Sequence, residues 1–193
     1  PRITGDTSKY RYEILRLDDP LALAIGTLTD CCQEINNAAE VCMAHSMTSQ
    51  DGRVFVIKDH VGNIVAQSWV WRNGKVLCFD NIEIPDKAFE RADLPREDFA
   101  NEVYAIYKQA AQELIEQDKE VYNKLLSSGQ ITKQEYDDLV LAKVSVGLGY
   151  NDIAESLKIN ASLDKGNIAR PRPYEAPVSL MRGLYTNDST TQY

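Results

Sequence analysis

Between Arg53 and Ile84 the chain reads RVFVIKDHVGNIVAQSWVWRNGKVLCFDNIEI, and its alternation of apolar and polar positions predicts three antiparallel strands joined by two tight turns. His60-Val61-Gly62-Asn63 makes the first turn. Asn73-Gly74, the dipeptide that best tolerates positive φ angles, makes the second as a type I′ hairpin. Counting outward from a two-residue Asn73-Gly74 loop places Trp71 opposite Val76, Trp69 opposite Cys78, Ser68 opposite Phe79, Gln67 opposite Asp80 and Ala66 opposite Asn81. Polar pairs therefore fall in the middle of the predicted sheet.

Upstream, residues 1 to 9 are polar and YRYEILRLDDP predicts a strand ending before Pro20. The run LALAIGTLTDCCQEINNA has helical spacing, with Leu21, Ala24, Ile25, Leu28, Cys32 and Ile35 on one broad face, and AAEVCMAHSMT predicts a second short helix. Downstream of the strands, a polar stretch with Pro85 and Pro95 leads to the strongest helix. There Phe99, Val103, Ile106, Ala110 and Leu114 recur every three or four residues, a stripe that should pack on the sheet. Helical character runs on to Gly129 as C′ residue, and Thr132 with Glu135 predicts a capping box. KVSVGLG, residues 143 to 149, predicts a further strand, NDIAESLKI a short helix, and residues 168 to 193 an irregular, partly Pro-rich tail. The 193 residues suit one domain built on a mixed, mostly antiparallel sheet flanked by helices.

A formal charge of −8 would repel a phosphate backbone, and no Lys/Arg stripe overrides it, so nucleic acid is not an expected partner. No apolar run approaches a bilayer-spanning length, so no membrane insertion is expected. The chain opens on Pro1 without initiator Met, basic segment or apolar stretch, so no signal peptide is read and a processed or excised piece is expected. Four cysteines, two of them adjacent, fit a reducing cytoplasm better than a disulfide framework.

Three constellations carry candidate chemistry. Gln67, Asp80, Asn81 and Glu83 lie on strands that otherwise read as buried, and regular alternation puts Asp80 on one face and Asn81 with Glu83 on the other. Asp80 could pair with Gln67 or cap a nearby element, while Glu83 could act as a general base on an amine. Cys31, Cys42 and His45 could ligate zinc, with Cys42 and His45 on one helical face, against the plainer reading of small buried thiols. The acidic neighbours Asp30, Glu34 and Glu40 should raise rather than lower a thiol pKa. Trp69 and Trp71 project to one face and read as core.

A strand, two helices, a three-strand meander, a long helix and another strand is an order that resembles the GNAT superfamily of N-acetyltransferases. More narrowly, TDCCQ, EVC with His45 three residues after Cys42, AQSWVW, FDNIE and VGLGYND, spread over residues 29 to 152, look like a group of phage and prophage proteins with GNAT-like domains. The resemblance implies an acyl-CoA N-acyltransferase-like fold in which Lys75 to Ile84 and Lys143 to Gly149 lie side by side and splay apart. It implies that Asn81, Ile82, Ile84, Gly147 and Gly149 line a slot for the pantetheine arm of acetyl-CoA, with Glu83 and Tyr150 as acid–base residues acting on an amine acceptor. Family members carry a Gln/Arg-x-x-Gly-x-Gly/Ala loop after the meander, whereas PDKAFERADLPRED here has no glycine to bring backbone amides close to a diphosphate. A non-catalytic GNAT-like interaction or structural module of a phage or mobile element is the rival expectation, and a zinc-stabilised binding domain a third.

Overall fold

The computed structural model describes residues 3–37, 40–49 and 52–147. Its six strands lie in chain order across one sheet: β1 (Thr4–Asp6), β2 (Tyr10–Ile14), β3 (Gly52–Asp59), β4 (Ile64–Asn73), β5 (Val76–Asn81) and β6 (Lys143–Gly147). The first five pair antiparallel and β6 joins β5 in parallel. A parallel neighbour requires a long crossover, and the crossover here consists of α3 (Asp86–Ala92), α4 (Arg96–Ser127) and α5 (Lys133–Leu139). Two more helices, α1 (Leu21–Leu28) and α2 (Glu40–Thr48), connect β2 to β3. No helix among the described residues is long and apolar enough to cross a membrane.

Both faces of the sheet are covered. On one, α4 buries Phe99, Val103, Ile106, Tyr107, Ala110 and Leu114, and Tyr107 meets Phe55 and Phe79 edge-on at 4.9 and 5.4 Å. On the other, Leu15, Ala22 and Ile25 pack with Val54 and Val56, and Cys42 packs with Trp69, Trp71 and Cys78. The Trp69 and Trp71 rings are 4.4 Å apart in this core, as their shared face implied. Past Leu114 the long helix buries no further residue fully; Ile115 packs at the edge of the core and Asp118 makes polar ties beyond it. Asp118 accepts from Arg72 Nη1 at 2.6 Å and from the Leu141 amide at 2.6 Å, tying β4 to the segment that enters β6. The helix closes where Gly129 (φ +72°) lets the Gly129 and Gln130 amides reach back to Leu126 and Leu125. Thr132 and Glu135 form the expected reciprocal capping box.

Four expectations need correction. The second hairpin turns over Gly74 and Lys75, so Trp71, not Trp69, faces Cys78, and Asn73 faces Val76. Positive φ falls on Gly74 (+56°), the first central position, which takes glycine in a type II′ turn; the two-residue displacement keeps the side chains from Val76 to Phe79 on their expected faces. Helix α1 stops at Leu28 instead of running toward Ile35. Asp30 turns left-handed (φ +51°), the Cys31 amide bonds back to Gly26, and the chain folds so closely that a Cβ on Gly26 would sit 2.2 Å from the Glu34 nitrogen. An unexpected short strand, β1, pairs with β2, and DKAFERA forms the short helix α3 instead of a loop. The expected helix at NDIAESLKI and the irregular tail lie outside the described residues.

Because backbone rather than a flexible side chain occupies the space beside Gly26, Gly26→Ala should destabilise the protein by about 1–3 kcal/mol despite alanine's better helix propensity. Urea denaturation should show a lower midpoint at unchanged slope. A neutral or stabilising result would mean that the return at Gln33 and Glu34 is not packed against α1.

Candidate functional site

The candidate site grows from a single surplus residue in β5. From Val70↔Phe79 to Gln67↔Glu83, β4 advances three residues and β5 four. The other neighbour records the same surplus, since Phe79 faces Val146 and Asn81 faces Gly147. Both ladders thus locate a β-bulge around Asp80, and a bulge shifts the side-chain alternation beyond it.

Its consequence is a change of face. The Gln67 and Glu83 amides each donate to the other's carbonyl, at 3.0 and 2.9 Å, and residues directly opposite in an antiparallel pair share a face. Gln67 points away from α4, because its neighbour Ser68 meets the Tyr107 hydroxyl at 2.8 Å while the Gln67 amide nitrogen lies 3.5 Å from Cys31 Sγ. Glu83 therefore stands on the Cys31 face together with Asp80, contrary to the regular alternation that separated them. The bulge is pinned on the α4 side, where Ser68 Oγ donates to the Asn81 carbonyl at 2.9 Å.

Electrostatics reports the same gathering. Burial pushes the Cys31 thiol pKa up and the Glu83 charge adds to it, against hydrogen bonds from Thr29, the Gln33 amide and Gln67. Although Cys32 reaches solvent, protein around its sulfur desolvates the thiolate, and Cys31, Glu83 and Asp80 contribute further, taking it to about 11. Both thiols stay protonated at neutral pH, which argues against a nucleophilic role. The Tyr107 phenol is pushed up by burial and by Glu83, with its Ser68 hydrogen bond opposing. Gln67 and Gln33 are both buried, and each side-chain oxygen lacks a hydrogen-bond partner among the described residues. Gln67 Oε1 and Gln33 Oε1 are thus two buried acceptors that a hydrogen-bond donor would satisfy.

Of the residues singled out from sequence, Glu83 and Cys31 come together here, with Asn81 at the bulge. Ile82 is buried in the α4-side core and Ile84 packs at its edge. Strands β5 and β6 remain paired through Asn81↔Gly147, so no splay opens along this length; Gly149 and Tyr150 lie outside the described residues. Cys42 sits among the two tryptophans and Cys78, and the side chain of His45 is outside the described residues. Among the described residues no three His, Cys, Asp or Glu side chains converge as metal ligands. Gln33 and Tyr107 went unnoticed in the sequence. Gln33 carries no pattern of its own, and Tyr107 hides within the apolar stripe of α4.

No family model matches the chain, and no curated protein matches it.

Alkylation by iodoacetamide tests the thiol environment. Cys32 should react more than tenfold slower than free cysteine at pH 8, with a rate that rises toward a midpoint near pH 11, read by mass spectrometry of intact protein. Rapid alkylation of Cys32 below pH 9 would contradict the desolvated, acidic surroundings of its sulfur.

Proposed function

We propose that the protein is an N-acyltransferase-like protein acting on an amine acceptor of unassigned identity. The observation that carries this reading is the acceptor-rich cluster that the β5 bulge assembles beside the parallel β5–β6 pair. Gln67 and Gln33 offer buried amide oxygens to an N–H donor, and Glu83 takes the proton that an ammonium must lose before its nitrogen can attack. A thioester such as acetyl-CoA would supply the acyl group. The C–N bond forms as the C–S bond breaks, and the departing thiolate recovers a proton, for which the resemblance suggests Tyr150.

The stretch after β5 does not fit a CoA diphosphate in the way the family grips it. It opens with Pro85, which has no amide hydrogen, and puts Asp86 in the first turn of α3, so a carboxylate stands where an anion would approach. That observation favours a second reading, a non-catalytic module of the same fold serving a phage or mobile element as an interaction or structural part.

Calorimetric titration with acetyl-CoA separates the two. The acyltransferase reading expects saturable binding at micromolar to sub-millimolar concentration. It also expects Glu83→Gln to keep that binding while lowering acyl transfer to a panel of amines by 10²-fold or more. No heat of binding up to millimolar acetyl-CoA would leave the non-catalytic reading standing.

A further inference from the structure

A second feature includes neither Asp80 nor Glu83 in its walls and does not rest on the acyltransferase reading, although Pro85 and Lys87 belong to the stretch after β5. Between α1, the β3–β4 turn and α3 is an open groove of about 590 Å³, a size that suits a small organic ligand. In a chain of net charge −8, its walls collect three cations, Lys58, Lys87 and Arg91, against one lining carboxylate, Asp30. Their commitments differ. Lys58 Nζ is bound to Glu13 at 2.6 Å. Arg91 donates one N–H to the Ile64 carbonyl at 3.0 Å and lies 4.0 Å from Asp59. Asp59 in turn is occupied by the turn itself, accepting from the Val61, Gly62 and Asn63 amides and the Asn63 side chain. This arrangement orients the Arg91 guanidinium and leaves other N–H donors of its fork for a ligand. Lys87 is exposed and forms no ion pair with a described residue.

The groove is apolar as well as cationic. Leu21, Ile64 and Pro85 line it, and Leu28 contributes a side chain that is 48% exposed and turned to no core. We propose that this groove binds an amphiphilic organic anion, its oxyanion head on Lys87 and Arg91 and its apolar body on Leu28, Leu21 and Ile64. A phosphate monoester and a carboxylate share the chemistry that the guanidinium fork recognises. Charge complementarity selects an anion over a cation, and the apolar lining selects an alkyl or aryl ester or acid over inorganic phosphate.

The test uses four probes on the full chain, followed by heteronuclear NMR: octyl phosphate, octanoate, inorganic phosphate and octyltrimethylammonium, each below its micellar concentration. At least one octyl anion should bind saturably and shift the Leu28 and Lys87 resonances, and the ratio of the two affinities identifies the head group. Inorganic phosphate should bind at least tenfold more weakly than the better octyl anion, and the cation should not saturate. Lys87→Glu and Leu28→Asn change exposed side chains, so both should fold as the parent does by circular dichroism, and each should weaken octyl-anion binding at least fivefold. The proposal is overturned if neither octyl anion saturates at millimolar concentration, if octyltrimethylammonium binds equally well, or if both folded variants bind as the parent does.

Discussion

Between Phe79 and Glu83 the third strand of the meander carries one residue more than either of its neighbours, and the candidate site follows from that surplus. A regular strand would have sent Asp80 and Glu83 to opposite faces, one of them toward the aromatic layer of Phe55, Phe79 and Tyr107. A carboxylate among those rings would be costly without a partner. The bulge instead turns Glu83 to the side of Asp80, toward the segment after α1 where Cys31 and Cys32 sit. The α4 face keeps a neutral polar pair, Ser68 with Tyr107, which also holds the bulged backbone through the Asn81 carbonyl.

The same division explains why the loop after α1 has its shape. Gly26 lets Gln33 and Glu34 approach the helix backbone, and that approach carries Cys31 against Gln67 at the height of the bulge. On the opposite edge, Asp118 on α4 gathers Arg72 and the Leu141 amide, so β6 enters beside β5 with its register set. Acceptors accumulate on one face of the β5 bulge and cations collect in the groove at the end of the β3–β4 hairpin. An acidic chain thus presents two local chemistries: the amine proposal draws on Gln33, Gln67 and Glu83, and the anion proposal on Leu28, Lys87 and Arg91.

The element order was legible because most of its signals are local. The stripe on α4, the Gly129 stop, the Thr132–Glu135 box and the paired tryptophans each depend on residues within a few turns of each other. Local pattern misjudged the hairpin by two residues, because Asn73-Gly74 can be either the loop itself or the last strand residue followed by the first loop residue. It also overran α1, since only the distant contact at Gln33 and Glu34 ends that helix where it does. The site was legible in part of its membership, Gln33 excepted, and illegible in geometry. Glu83 and Cys31 were marked as polar or reactive residues in apolar surroundings, but a bulge has no reliable signature in FDNIE, and alternation counted through it assigns the wrong face to everything after.

Cross-strand NOEs between β4 and β5 test this account most directly. The bulge predicts contacts that place Gln67 opposite Glu83, with protected amides at both positions, while Val70 remains opposite Phe79. Contacts placing Gln67 opposite Ile82 would restore regular pairing, return Glu83 to the other face, and contradict the assembly of the acceptor-rich cluster.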